Sequence, residues 1–96
     1  MTTPLPPTEL ASDVDGSLFV IVDPNDADMS GWSLEITHEN GTTSRSPFTQ
    51  QTWYATEGGG WNGLGYGTAT AAWCAPARHG SKITAWIGPD GIRRDN

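Results

Sequence analysis

Short apolar stretches separated by glycine and proline dominate the pattern of this chain. Residues 17–23 form a continuous apolar run rich in β-branched side chains, which is typical of a central strand buried on both faces. Between residues 32 and 37, Trp32, Leu34 and Ile36 alternate with polar residues, which predicts a strand with one buried face. No segment sustains an apolar period of 3.6 residues, so the pattern predicts little or no helix.

Turn residues divide the rest of the chain. Asn40-Gly41 predicts a tight hairpin in which both residues adopt positive φ, followed by a return strand at 42–46 that Pro47 ends. Residues 58–67 contain six glycines and predict a loop rather than a regular element. Further strands are expected at residues 51–56, 68–75 and 82–87, the last with Ile83, Ala85 and Ile87 on one face and Thr84 and Trp86 on the other.

These elements predict an all-β fold, a small antiparallel β-sandwich or barrel of six or seven short strands. An immunoglobulin-like topology is compatible with the length, although the Cys…Trp…Cys signature is missing. Residues 1–12 contain three prolines and predict an extended N-terminal arm, which leaves a single domain at 13–96. Ninety-six residues are near the lower limit for a self-sufficient core.

Charge is distributed unevenly along a chain whose net charge is −6. Eight acids precede Arg45 without a single Lys or Arg, and from Arg45 onward there are five basic residues against three acids. This asymmetry favours pairing between the acidic half and a basic partner, for instance a neighbouring copy; the alternative is that the charges only solvate the surface. So few basic residues disfavour nucleic-acid binding. Cys74 is the only cysteine, which favours a cytoplasmic rather than a secreted protein. The sequence has no apolar run near its start and none of membrane-spanning length, which disfavours a secreted or membrane protein.

Candidate chemical sites are incomplete. Asp26-x-Asp28-x-Ser30 resembles the opening of a calcium loop, but Thr37 stands where a closing Glu is needed, so the alternative is an ordinary Asp-rich turn. Cys74 and His79 lack an orienting third group, and Cys74 lies in an apolar strand, which favours a buried structural cysteine. We therefore predict a protein that is not an enzyme, with no catalytic, cofactor-binding or metal-binding residues.

Five tryptophans in so short a chain are the most distinctive compositional feature. Trp32 and Trp53 are expected in the core, and Trp61 and Trp86 at the surface. Exposed Trp61 and Tyr66 are suited to stacking on sugar rings, which favours a carbohydrate-binding module as an alternative function. Exposed aromatics are also typical of protein interfaces.

The proline-rich arm (Pro4, Pro6, Pro7), a compact β domain rich in Thr, Gly and Ala, and the lack of a catalytic set are together similar to small virion accessory proteins of tailed bacteriophages. The resemblance to these head-decoration and minor capsid or tail proteins is one of type and assigns no residue a role. It implies many copies attached to a shell or tube.

The leading hypothesis is a structural module that docks on a larger assembly in the virion, assembled in the host cytoplasm. Its partners would be other protein subunits, including copies of itself, with neither nucleic acid nor membrane involved. The predicted partner-binding residues are Pro4, Leu5, Pro6, Pro7, Leu10, Trp61, Leu64, Tyr66 and Trp86.

Overall fold

Two antiparallel β-sheets make up the fold, as seen in a computed structural model that describes residues 6–96. Pro4 and Leu5, two of the predicted partner-binding residues, lie outside the described part. The strands are β1 (Glu9–Ser12), β2 (Leu18–Val22), β3 (Ser33–Thr37), β4 (Thr43–Pro47), β5 (Thr49–Ala55), β6 (Trp61–Asn62), β7 (Thr68–Ala77), β8 (Lys82–Ile87) and β9 (Arg93–Asp95). The all-β prediction is confirmed, because no helix occurs between residues 6 and 96. It follows that this part of the chain has no helix long and apolar enough to cross a membrane.

The strands form a five-stranded sheet in the order β1-β2-β7-β5-β6 and a four-stranded sheet in the order β4-β3-β8-β9. The chain passes from the four-stranded to the five-stranded sheet at Phe48, where β4 ends at Pro47 as predicted. The Phe48 N–H donates to the carbonyl of Trp32 at 3.0 Å, which fixes this crossing point. Because a single residue separates β4 from β5, the edges of the two sheets are held close together there.

The first core lies between the two sheets and takes side chains from both. Its buried members are Val20, Val22, Met29, Leu34, Ile36, Phe48, Ala75 and Trp86. Val20 and Val22 come from one face of β2, and Leu34 and Ile36 from the predicted inner face of β3. The alternation in β3 therefore faces the core as expected.

A second core lies on the opposite face of the five-stranded sheet, which curls until it is nearly barrel-shaped. Ala11, Ile21, Trp53, Ala72 and Cys74 are buried there, and Phe19 packs edge-on against Trp53 with ring centroids 5.4 Å apart. Alternate residues of β2 thus enter different cores, which explains why its sequence is continuously apolar. The predictions that Trp53 and Cys74 are buried are confirmed.

A β-bulge in β8 changes which of its residues face the core. Leu34 pairs with Trp86, whereas Ile36 pairs with Ile83, so Thr84 is an extra residue without a partner on β3. The bulge places Ile83 and Trp86 on the same side, where both pack in the first core. The prediction that Ile83, Ala85 and Ile87 share one face is therefore wrong, because the side-chain alternation shifts at Thr84.

The β3–β4 hairpin has a different turn from the one predicted. The Gly41 N–H donates to the His38 carbonyl at 2.9 Å, and the His38 N–H donates to the Thr42 carbonyl at 2.8 Å. Gly41 alone has positive φ, 86°, and Asn40 does not. This is a three-residue loop with glycine at the left-handed position, rather than a two-residue turn with two positive φ angles.

Short strands at the sheet edges account for the remaining differences. β1 lies within the predicted arm and pairs with β2 from Glu9 to Ser12, so the sheet begins before the predicted boundary at residue 13. β6 lies within the predicted glycine loop, and β9 lies in the C-terminal tail. Strands of two to four residues are too short to show an apolar alternation in the sequence.

Candidate protein-binding surface

The glycine-rich segment begins with a hydrogen-bonded hairpin between β5 and β6. The Thr56 hydroxyl donates to the Gly59 carbonyl at 2.7 Å, and the Thr56 N–H donates to the Gly60 carbonyl at 3.1 Å. Gly59 and Gly60 both adopt positive φ, which a side chain would disfavour. The turn directs the chain back so that Trp61 pairs with Ala55.

Asn62 organises the loop that follows, residues 63–67, which we call the display loop. Its side-chain oxygen accepts hydrogen bonds from the backbone N–H groups of Leu64, Gly65 and Tyr66 at 2.9, 3.1 and 3.2 Å. Its side-chain amide donates to the carbonyls of Tyr66 and Tyr54 at 2.7 and 3.3 Å. One asparagine therefore satisfies most of the loop's polar backbone and ties it to β5.

The glycines at both ends of the display loop hold it against the rest of the sheet. A Cβ at Gly67 would overlap the Ala55 carbonyl oxygen, so only glycine permits this approach. A Cβ at Gly63 would lie 2.7 Å from the Asp13 carboxylate, which places the loop beside the β1–β2 turn. The glycine-rich composition thus reflects close packing, not only flexibility.

The display loop presents two large apolar side chains to solvent. Leu64 is 64 % exposed and Tyr66 is 72 % exposed, as predicted. Trp61, predicted to be exposed, is only partly so, because it packs against the second core. Trp61 therefore anchors the loop to the domain, and Leu64 and Tyr66 form the accessible part.

Trp86 does not belong to this surface, and the prediction that it is exposed is wrong. It is 2 % exposed and stacks on Phe48 in the first core, with ring centroids 5.9 Å apart. Its indole N–H donates to the Asn96 side chain at 3.2 Å. The physical reason is the bulge at Thr84, which turns Trp86 inward. Trp32, predicted to be buried, is only partly so and lies beneath the Arg94 guanidinium, 5.0 Å from the ring centroid.

The described residues of the predicted arm lie at a different edge. Pro6 is partly buried, Pro7 is exposed, and Leu10 in β1 is 62 % exposed. Two further apolar residues are exposed that were not predicted from the sequence, Val14 and Ile92. Val14 lies in an Asp-Gly turn, where an isolated apolar residue is itself a signal of a displayed side chain.

The acidic turns use their carboxylates to cap their own backbone. The Asp28 carboxylate accepts from the Ser30 N–H at 2.9 Å and the Ser30 hydroxyl at 2.6 Å, and these bonds lower the pKa of Asp28. Asp23 caps Asn25 in the same way. In residues 6–96 no group of three or more His, Cys, Asp or Glu side chains is placed to hold a metal ion. These hydrogen bonds are typical of an ordinary Asp-rich turn, which was the alternative to a calcium loop.

Ion pairs tie the C-terminal strand β9 to β3 and to the turn that precedes β9. Arg93 donates to both oxygens of Glu35, at 3.2 and 2.8 Å, and also pairs with Asp95. The bonds from Arg93, and then the bond from the Thr84 hydroxyl, lower the pKa of Glu35 to about 2. Arg94 pairs with Asp90 at 3.0 Å. Part of the predicted pairing between the acidic and basic halves is therefore satisfied within one chain.

Cys74 and His79 are not brought together as a catalytic pair. Cys74 is fully buried in the second core, and its sulfur lies 3.8 Å from the Thr49 hydroxyl. His79 is exposed in the turn after β7. A nucleophile requires solvent access and an adjacent base, and this cysteine has neither within the described residues.

Comparisons with protein-family models, with curated proteins and with solved structures find no significant match for this chain.

Proposed function

We propose that this chain is a non-enzymatic binding module that docks on a larger protein assembly through its display loop. The observation that carries the proposal is the preorganised exposure of Leu64 and Tyr66, held by the five hydrogen bonds of Asn62. A loop that is already ordered loses little conformational entropy when it binds. Tyrosine is enriched among the residues that dominate binding energy.

The assembly we propose is a virion, on which the chain acts as a decoration or minor structural protein. A contact centred on two side chains is small, so attachment of many copies to a repeating shell or tube suits it better than a one-to-one complex. Pro7 and Leu10, both exposed at the other edge of the same sheet, are proposed as a second contact with the assembly. This assignment rests on the resemblance of type together with the exposed loop.

The experiment is sedimentation of native source material through a density gradient. The proposal expects this chain to co-migrate with very large particles. Recombinant chain added to particles stripped of it should rebind, and the double variant Leu64→Ser/Tyr66→Ser should not. Ile92→Ser is the matched control, because Ile92 is also an exposed apolar residue but lies in the β8–β9 turn of the other sheet. Sedimentation of the native chain as a free small protein contradicts the proposal.

Carbohydrate binding is the second candidate, and one groove favours it. The groove has a volume of about 270 Å³ and is lined by Trp61, with Glu9, Asp23 and Asp26 around it. Tyr66, the other member of the stacking pair expected from the sequence, does not line this groove. An indole beside carboxylates is suited to a sugar ring, which stacks its apolar face and donates its hydroxyls. Glycans that shift tryptophan fluorescence, with the shift lost in Trp61→Ala but kept in Tyr66→Ser, would favour this function over docking.

A further inference from the structure

A lateral groove opens between β1 and β2 of one sheet and β3 and β8 of the other. Leu10 pairs with Val20 in register, so both side chains lie on the face of the five-stranded sheet that faces the first core. Val20 is fully buried, whereas Leu10 is 62 % exposed; its neighbour Ala11, on the opposite face, is 5 % exposed. The four-stranded sheet therefore covers β2 but not β1. The space left has a volume of about 400 Å³.

The lateral groove has an apolar lining and two cations at its edge. Leu10, Leu18 and Ile83 line it, and Arg78 and Lys82 stand at its edge, around the turn between β7 and β8. Neither Arg78 nor Lys82 forms a salt bridge with any residue of the described range 6–96. Glu9 also lines the groove, and the Glu39 carboxylate lies close to Gly80 in the same turn, but within the described residues neither acid forms a salt bridge with the two cations. The groove is therefore an apolar site with two cations free to pair, on a chain whose net charge is −6.

The chain carries a segment of complementary character, residues 13–15, which we call the acidic tip. Val14 is 70 % exposed and stands between Asp13 and Asp15. The Asp13 carboxylate accepts from the Val14 N–H at 2.7 Å, and the Asp15 carboxylate accepts from the Ser17 N–H at 2.9 Å. The tip is thus a preformed apolar point flanked by two negative charges.

We propose that the acidic tip of one copy docks in the lateral groove of a second copy. Val14 would contact Leu10 and Leu18, and the tip carboxylates would pair with Arg78 and Lys82 of the other copy. Complementary charges on two surfaces of one chain favour self-association and set its register. This inference does not depend on the display loop, and it goes beyond attachment to an assembly by assigning contacts between neighbouring copies.

The test is sedimentation equilibrium of the full chain at ~0.1–1 mM, the range in which so small an interface is measurable. The wild-type chain should self-associate, and added salt should weaken the association because it screens the charges. Asp15→Lys and Lys82→Glu should each weaken association by about tenfold or more, since each places like charges together. The double variant Asp15→Lys/Lys82→Glu restores opposite charges and should associate again.

Two controls separate a lost contact from a lost fold. Asp28→Lys removes a cap that matches that of Asp15, because Asp28 also accepts from the N–H two residues on at 2.9 Å. Arg45→Glu reverses an exposed cation on β4. Both controls should associate like the wild type, and Leu64→Ser/Tyr66→Ser should also self-associate even where it no longer binds particles. A monomeric wild type at 1 mM, or a folded double variant that stays dissociated, overturns the proposal.

Discussion

Two regions of this domain each carry an aromatic residue that the sequence predicts to be exposed, but the structure exposes only one of the two. In β8, Trp86 follows Thr84 and Ala85, yet it is almost fully buried against Phe48. In the display loop, Tyr66 stands between two glycines and is largely exposed. Trp86 belongs to a strand paired on both sides, by β3 and β9, whereas Tyr66 belongs to a loop supported from one side by Asn62.

The difference shows that strand pairing and register, rather than residue type, determine which aromatic side chains are exposed to solvent. A paired strand must place each side chain on one face or the other, and one bulge residue is enough to exchange the faces. A loop whose backbone is held by the side chain of one asparagine has no such constraint. The two aromatics should therefore respond oppositely to truncation: Trp86 in stability and Tyr66 in binding.

The largest effect is expected for Trp86→Ala. Removing a buried indole leaves a cavity in the first core and leaves Asn96 without its donor, so we expect a loss of about 3–5 kcal/mol in the free energy of unfolding. Urea unfolding followed by fluorescence measures it. Tyr66→Ala is the comparison and should change stability by no more than about 0.5 kcal/mol. Equal losses in the two variants would contradict the distinction.

Gly67→Ala should be the most damaging change in the display loop. The added Cβ overlaps the Ala55 carbonyl oxygen at a φ of 119°, so we expect a loss of about 3 kcal/mol. Gly65→Ala is the matched control. Gly65 also has positive φ but open space around it, so only the conformational cost of about 1 kcal/mol applies. Thermal unfolding of both variants tests the order, and a Gly65→Ala loss as large as that of Gly67→Ala would contradict close packing as the cause.

Asn62→Ala should loosen the display loop while the sheets remain intact. Most of the hydrogen bonds it removes are exposed, so water replaces them and the stability loss is about 1 kcal/mol. Amide exchange at Leu64 to Tyr66 should accelerate, and exchange in β7 should not. Asn40→Ala removes a comparable cap, on Thr42, and should leave exchange in the display loop unchanged.

The smallest effect is expected in the pH dependence of folding stability, to which the ion pair between Glu35 in β3 and Arg93 in β9 contributes. The pKa of Glu35 is about 2 in the folded chain against an ordinary value of 4.5, because Arg93 and then Thr84 bond its charged form. As the pH falls, the Glu35 carboxylate therefore takes up its proton at a higher pH in the unfolded chain than in the folded one. The stabilisation of the folded state that is present above pH 4.5 is lost as the pH falls towards 2. Unfolding measured between pH 7 and 2 should show a shallower acid loss in Glu35→Gln than in wild type, with Glu57→Gln as the exposed control. If the unfolding free energy fell equally steeply with pH in Glu35→Gln and in wild type, the ion pair would not contribute to stability.

The strands with a clear pattern could be predicted from the sequence. The apolar run of β2, the alternation in β3 and the buried Cys74 all follow from local composition and are confirmed. Edge strands β1, β6 and β9 could not be predicted, since their few residues pair only because neighbouring strands are already in place. The bulge at Thr84 leaves no local signal, because a bulge is defined by register against β3.

The candidate site was also only partly predictable. Exposure of Leu64 and Tyr66 follows from their glycine neighbours, which favour a loop. The role of Asn62 depends on how the chain folds back over it, and the lateral groove joins Leu10 to Ile83, which are far apart in sequence. Such sites are made by topology, and no local pattern marks them.

The most direct test of the central claim compares stability and particle binding in one double variant, Leu64→Ser/Tyr66→Ser. We predict an unfolding free energy within about 0.5 kcal/mol of wild type, because both side chains are exposed, together with the loss of rebinding to stripped particles from the native source. Retained binding by a variant as stable as wild type would contradict the display loop as the docking surface.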